Sequence, residues 1–277
     1  MFNLNLQVTE PNLEALKAEL TRTLSHVKSS HRCEALARSL GFRTYATGRA
    51  EAKAWAPIIA TVKGDLFQDY LYAHGFECSA LPLYLAAGRI ALADIRQKSP
   101  HLTVWGMGVG RPRHKADGRL ETRAELNKRF AEEREELTSD GAVESFLATL
   151  ALLSRVPPTK TIRQESGSYW LKHIAENFAC SYPTGEKLGP RYVPNGAAIA
   201  AAIHAGFRFK TYLDENGFWE INVSFNMSKA LLIDLDCQMR PTGVYAEERR
   251  WKQRNVEEKR QQRTLYRYLS MINGQSA

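Results

Sequence analysis

Along residues 2–8 apolar and polar side chains alternate without a break, Phe2, Leu4, Leu6 and Val8 against Asn3, Asn5 and Gln7. A period of two predicts a half-buried strand. The period then lengthens: Leu13, Leu16, Leu20, Leu24 and Val27 step by three and four, predicting a helix opened by Thr9 and Pro11. The segment 30–55 reads as two short helices broken at Gly41, and further helices are predicted near 65–74 and 80–97. The Gly-rich, basic stretch GMGVGRPRHKADG (106–118) predicts an exposed loop and a domain boundary. Residues 120–137 place opposite charges three and four apart, as in a solvated helix. Another helix starts at Asp140 and Gly141, runs through Phe146, Leu150 and Leu153, and ends at Pro157 and Pro158, a second boundary.

The second half changes character. Residues 166–178 predict a helix with Trp170, Ile174 and Phe178 on one stripe. After the irregular CSYPTGEKLGPRYVP, Asn195 and Gly196 start an Ala-rich helix that is apolar all round from Ala197 to Ile203, as in a buried helix. RFKTYL, the turn DENG and FWEINVSF form a hairpin signal, with Trp219, Ile221, Val223 and Phe225 on one face. LLIDLD (231–236) reads as another strand, and Ala246–Leu269 as a long basic helix. AxxxGF recurs at 37–42 and 202–207.

These elements define a mainly helical α+β chain. A helical domain with an N-terminal strand and a helix-turn-helix covers 1–105, and a charged helical connector 106–158. A winged-helix-like helix–helix–hairpin module covers 159–245, and the basic C-terminal helix 246–277. No apolar run approaches bilayer length, and the first residues have neither a basic region nor an apolar signal core, so a cytoplasmic protein is expected. The four cysteines make no CxxC unit and match no His spacing, which predicts reduced thiols, no metal and no cofactor.

Charge adds direction. The chain carries a formal +8 with a pI near 9.3, an excess that favours polyanions through counterion release. Between His26 and Ala54 six Lys or Arg face two acids, and the spacing of Ala37 and Gly41 suits a helix-turn-helix. Here Lys28, Arg32, Arg43 and Lys53 would contact phosphate, while Tyr45 and Arg49 would reach base edges from a helix capped by Thr44. The same letters fit an ordinary helical hairpin. In the winged-helix-like module contacts would come from the edges: Lys187, Arg191, Asn195, Arg208 and Lys210. The C-terminal helix sets eight cations against four Glu, with Trp251, Tyr266 and Tyr268 interleaved. Its candidates are Arg249, Arg250, Lys252, Arg254, Arg260, Arg263 and Arg267.

Catalytic signals are few. GMGVG lacks the dinucleotide-binding spacing, and no GxSxG, HExxH or Cys–His motif appears. Asp214, Glu215, Glu220, Asp234 and Asp236 would make a magnesium-dependent nuclease only if neighbouring strands brought them together, and Asn222 stands where such a site would place a lysine.

SSHRCEALARSLGFRTYA (29–46), and SYWLKHIAENF with YVPNGAAIAAAIHAGF (168–207), resemble two modules of uncharacterised proteins carried on bacterial plasmids, integrative elements and prophages. Within the second module this chain departs from the pattern at SYPTGEKLGP. The resemblance implies a mobile-element context and transfers no catalytic residue. DNA binding in regulation or maintenance is the leading expectation, with a protein-binding inhibitor of a host defence complex and a metal-dependent nuclease as alternatives. Oligomeric state is not legible in these residues.

Overall fold

The computed structural model describes residues 2–53 and 58–274, with side chains as far as Arg267. The end of the predicted helical segment 30–55 therefore lies outside the described residues, as does the side chain of Tyr268. The N-terminal alternation becomes β1 (Asn5–Val8), which pairs antiparallel with β2 (Ile58–Thr61), Asn5 opposite Thr61 and Val8 opposite Ile58. Phe2, Leu4, Leu6 and Val8 are all buried. Helix α1 (Glu10–Thr23) starts where the Thr9 hydroxyl accepts the Asn12 N–H. It is followed by α2 (Ser29–Ser39), α3 (Tyr45–Ala52), α4 (Gly64–Ala73) and α5 (Leu81–Lys98).

The recurring AxxxGF is a helix stop. At its first copy Gly41 takes φ +86°, Phe42 N–H reaches back to Ala37 O at 2.9 Å, and Gly41 N–H to Arg38 O at 3.0 Å. Gly206 and Phe207 repeat the arrangement on Ala202 and Ile203, and Gly75 and Phe76 on Leu71 and Tyr72. This doubled bond, with an apolar residue after the left-handed glycine, ends a helix and turns the chain back onto the core.

The centre is built by α7 (Asp140–Leu153) and α9 (Asn195–His204), which pack on each other and on α5, with α8 (Ser168–Glu176) against α9. Ala197 to Ala202 are fully buried. Their small side chains let neighbouring helices close in, and the Gly196 hydrogen faces so near a neighbour that a Cβ there would sit 1.8 Å from Thr103 O. In α8 the buried stripe is Leu171, Ile174 and Ala175, whereas Trp170 and Phe178 are half-exposed. The buried stripe keeps Ile174 of the expected three and takes Leu171 and Ala175 in place of Trp170 and Phe178.

The GMGVG segment differs from the predicted exposed loop. Gly106–Met107 form β4, paired with β3 (Leu102–Thr103), and Met107 N–H donates to Ile221 O at 3.0 Å. Gly106, Gly108 and Gly110 all have positive φ. A Cβ on Gly106 would lie 2.0 Å from Ile221 O, so the glycines let this backbone lie against the hairpin. That hairpin pairs β5 (Phe209–Lys210) with β6 (Ser224–Phe225), bridged nearer its turn by Leu213 and Trp219. Val223 and Phe225 are buried, but Ile221 is 38% exposed, so the expected single apolar face holds only at the base.

Helix α6 (Arg123–Glu136) is capped by Thr122 and Glu125 in a reciprocal box. It is not solvated all round: Glu133 is buried, and half-buried Arg129 binds Glu121 at 2.7 Å. LLIDLD lies in α10 (Lys229–Met239), a helix and not a strand. Leu232, Leu235 and Asp236 share its buried side, and Asp236 pairs with Arg240 one turn on. Contacts gather the chain into two units, up to Lys229 and from Ala230 onward. The divisions expected at 105/106 and 158/159 fall inside the first, where α5, α7 and α9 form one core. The second contains α11 (Val244–Gly274). Among the described residues no helix is long and apolar enough to cross a membrane.

Candidate nucleic-acid interface

In the α2–α3 pair the structure divides the predicted contacts into two groups. Arg32 is 8% exposed and donates to Leu24 O at 2.9 Å, to Val27 O and to Thr21 Oγ1. It satisfies carbonyls left open where α1 ends, and its guanidinium is not presented to a partner. Tyr45 is likewise occupied. Its N–H donates to the Glu34 carboxylate and its hydroxyl to Glu14 Oε1 at 3.4 Å. Burial, with the Glu14 charge, pushes its phenol up to about 12.

Lys28, Arg43, Arg49 and Lys53 are exposed. Arg49 and Lys53 converge on Glu10 at 3.8 and 3.6 Å, so two cations share one carboxylate. Thr44 caps α3 as expected, accepting the Thr47 N–H. Gly48 is explained by contact: a Cβ there would press on Phe42 at 3.2 Å. Arg38, outside the predicted set, flanks with Arg43 a groove of about 520 Å³ between α2 and α4.

The helix–helix–hairpin module offers less. α9, the helix that a winged-helix arrangement would use to read bases, is buried from Asn195 to Ala202. Asn195 is 4% exposed and its amide donates to Trp105 O, Ile221 O and Asn222 Oδ1, tying α9 to two loops. Arg191 forms a 2.7 Å ion pair with Glu144 of α7. These two predicted contacts are therefore structural. Lys187, Arg208 and Lys210 are exposed; Arg208 also donates to Lys160 O, and Lys210 lies over the Tyr212 ring.

The densest basic surface is on α11. With an advance of about 100° per residue, Arg249, Lys252, Lys259, Arg260, Arg263 and Arg267 fall on one face, with Val256 among them. None of Glu247, Glu248, Glu257 and Glu258 falls within that stripe. The six cations and Val256 are all exposed. Arg249 binds Asp234, which together with Asp234's hydrogen bond raises its pKa, and Lys252 binds Glu248 at 2.5 Å on the edge of the stripe. Arg250 and Arg254 point elsewhere, Arg250 donating to Pro241 O at 2.6 Å. The sequence expectation named most of this stripe but omitted Lys259; the signal was the three- and four-residue spacing.

Four of the five carboxylates considered for metal, all but the exposed Glu220, are ion-paired. Asp214 accepts from Arg111 at 2.6 Å and from two backbone N–H groups of its own turn, which hold its pKa down. Asp234 binds Arg249 and Asp236 binds Arg240, both from helix α10 and not from a strand. Among the described residues no three His, Cys, Asp or Glu are grouped to hold a metal ion. A Cys–His contact that sequence spacing did not show does exist, His26 Nε2 lying 3.3 Å from Cys78 Sγ. Burial pushes that thiol's pKa up. All four cysteines are free thiols. No family model, curated protein or solved structure matches the chain.

Proposed function

We propose that this chain is a non-enzymatic DNA-binding protein that acts in the cytoplasm, in the regulation or maintenance of a bacterial mobile element. The observation that carries the reading is the acid-free stripe of six cations on α11. Such a face fits a rail of phosphates, and releasing their counterions supplies the affinity. The exposed cations Arg38 and Arg43 beside the groove of α2 and α4, and Lys28 just before α2, provide further phosphate contacts, with Arg49 the remaining candidate for a base edge. Lys187, Arg208 and Lys210 are not assigned a base, since the buried α9 removes the reading helix from the winged-helix arrangement.

The test is fluorescence-anisotropy binding to labelled duplex and single-stranded DNA at two salt concentrations, with and without magnesium. Binding by the whole stripe gives a log–log salt slope of about −5. Absence of binding at low salt rejects the reading. A specific observation favours a protein partner as the second reading: Trp251, Val256, Leu265 and Tyr266 of α11 are more than half exposed. Apolar side chains among charges suit docking on another protein, such as a host defence complex. Pull-down of one defined partner together with salt-insensitive DNA behaviour would decide for it.

A further inference from the structure

The cations of the α11 stripe do not form a single file. Arg249, Arg260 and Arg267 fall about 20–40° to one side of Val256 around the helix, and Arg263, Lys252 and Lys259 about 20–60° to the other. Val256, 67% exposed, is an apolar side chain on the midline between two rows of positive charge. Its neighbours one turn away are Lys252, Gln253, Lys259 and Arg260, all exposed. Trp251 and Leu265, also exposed, lie on the opposite side of the helix.

From Trp251 to Arg267 every side chain of α11 is exposed except the half-buried Asn255. A helix packed on a globular body presents one face, whereas a helix with solvent around it can sink both flanks into a groove. The major groove of B-DNA, about 12 Å wide, admits an α-helix about 10–12 Å across, and the minor groove, about 6 Å wide, does not. Phosphates line both walls of the major groove, and base edges make its floor. Two rows of cations with an apolar midline match two walls and a floor. A single strand would engage one row and leave the other in water. On the floor the apolar partner for a valine is the C5-methyl of thymine, and a glutamine amide matches N6 and N7 of adenine.

We propose that α11 enters the major groove of duplex DNA with one row of cations on each phosphate wall. Val256 then packs on a thymine methyl and Gln253 faces the adenine of an A·T pair. The assignment rests on α11 being the DNA-binding face and adds to it the groove and the base.

Fluorescence-anisotropy binding of the full chain tests it, with a short duplex of A·T pairs in non-repeating order and the same duplex carrying uracil for thymine. Uracil lacks only the C5-methyl, which lies in the major groove, so a protein held in the minor groove or on the backbone binds both alike. Uracil should weaken binding about fourfold, the worth of one buried methyl. Val256→Ser, an exposed change that spares the fold, should bind the two duplexes equally. Methyl green, a major-groove ligand, should displace the protein, and netropsin, a minor-groove ligand, should not. Either strand alone should bind at least about tenfold more weakly than the duplex, because one row of cations loses its phosphates. Equal affinity of the parent for both duplexes overturns the assignment, as does thymine discrimination that survives Val256→Ser. Displacement by netropsin and not by methyl green, or single-strand binding as tight as duplex binding, does the same. Each of these leaves DNA binding itself standing. Absence of binding to every one of these nucleic acids at low salt is the separate outcome that removes the DNA reading, and this assignment with it.

Discussion

His204 closes α9 and accepts the Asn5 N–H of β1 at 3.2 Å, a role only the neutral imidazole can fill. Burial, helped by Lys98, lowers its pKa to about 4 from an ordinary 6.5. The unfolded chain therefore takes up a proton near pH 6.5 that the folded chain refuses until about pH 4. The stability this group contributes is complete above pH 6.5 and is lost as pH falls toward 4, by about 2 kcal/mol given its partial exposure. Melting curves at pH 7 and pH 4.5 should show this loss, and His204→Gln should reduce it. At Arg32 the expectation is a purely structural effect. Arg32→Ala leaves the Val27 carbonyl without its donor and the Leu24 carbonyl with the Val27 N–H alone, costing about 2 kcal/mol, while DNA affinity stays within about twofold. An equal loss of stability and affinity would return Arg32 to the interface. Its charge was legible in the sequence; the carbonyls that use it come from the chain's return after α1, which no local pattern displays.

At the level of elements, periodicity was a good guide wherever one face is buried and the other wet. β1, α1 and the break at Gly41 follow it directly. It failed for LLIDLD, where Leu and Ile in a short run fit either period and Arg240, the partner of Asp236 one helical turn on, lies beyond the run. It also failed for GMGVG, because glycine has no side chain to reveal which backbone it lies against. α9 was legible as buried from its lack of polar residues. Ala200→Arg should therefore destabilise the protein by more than about 3 kcal/mol, measured by denaturant unfolding; a mutant as stable as the parent would show that α9 can swing outward. On α11 the charges are exposed, so Lys259, Arg260 and Arg263 changed together to Glu should lower DNA affinity at least about a hundredfold. The melting temperature should move by less than about 3 °C. Unchanged affinity would remove α11 from the interface.

At the scale of the molecule, net charge proved a blunt summary. The same chain holds the acid-free stripe of α11 and, in the first unit, a groove lined by Glu133, Asp214 and Glu220 as well as Arg111 and Arg113, and the total of +8 averages over both. The groove was not legible beforehand. Trp105, Glu133 and Trp219 are separated by long stretches of sequence, and only the packing of the glycine segment on the hairpin brings them together. The unit boundary at Lys229 was equally hidden, since no Pro- or Gly-rich stretch marks it.

The stripe on α11 is also a ruler. Arg249 and Arg267 are eighteen residues apart on a continuous helix, about 27 Å at a rise of 1.5 Å per residue. Duplex DNA advances about 3.4 Å per base pair, so all six cations need roughly eight base pairs of backbone to engage. Affinity for short duplexes should climb steeply with length up to that footprint and then flatten. A climb that continues well past it would mean that cations outside α11 also grip the DNA.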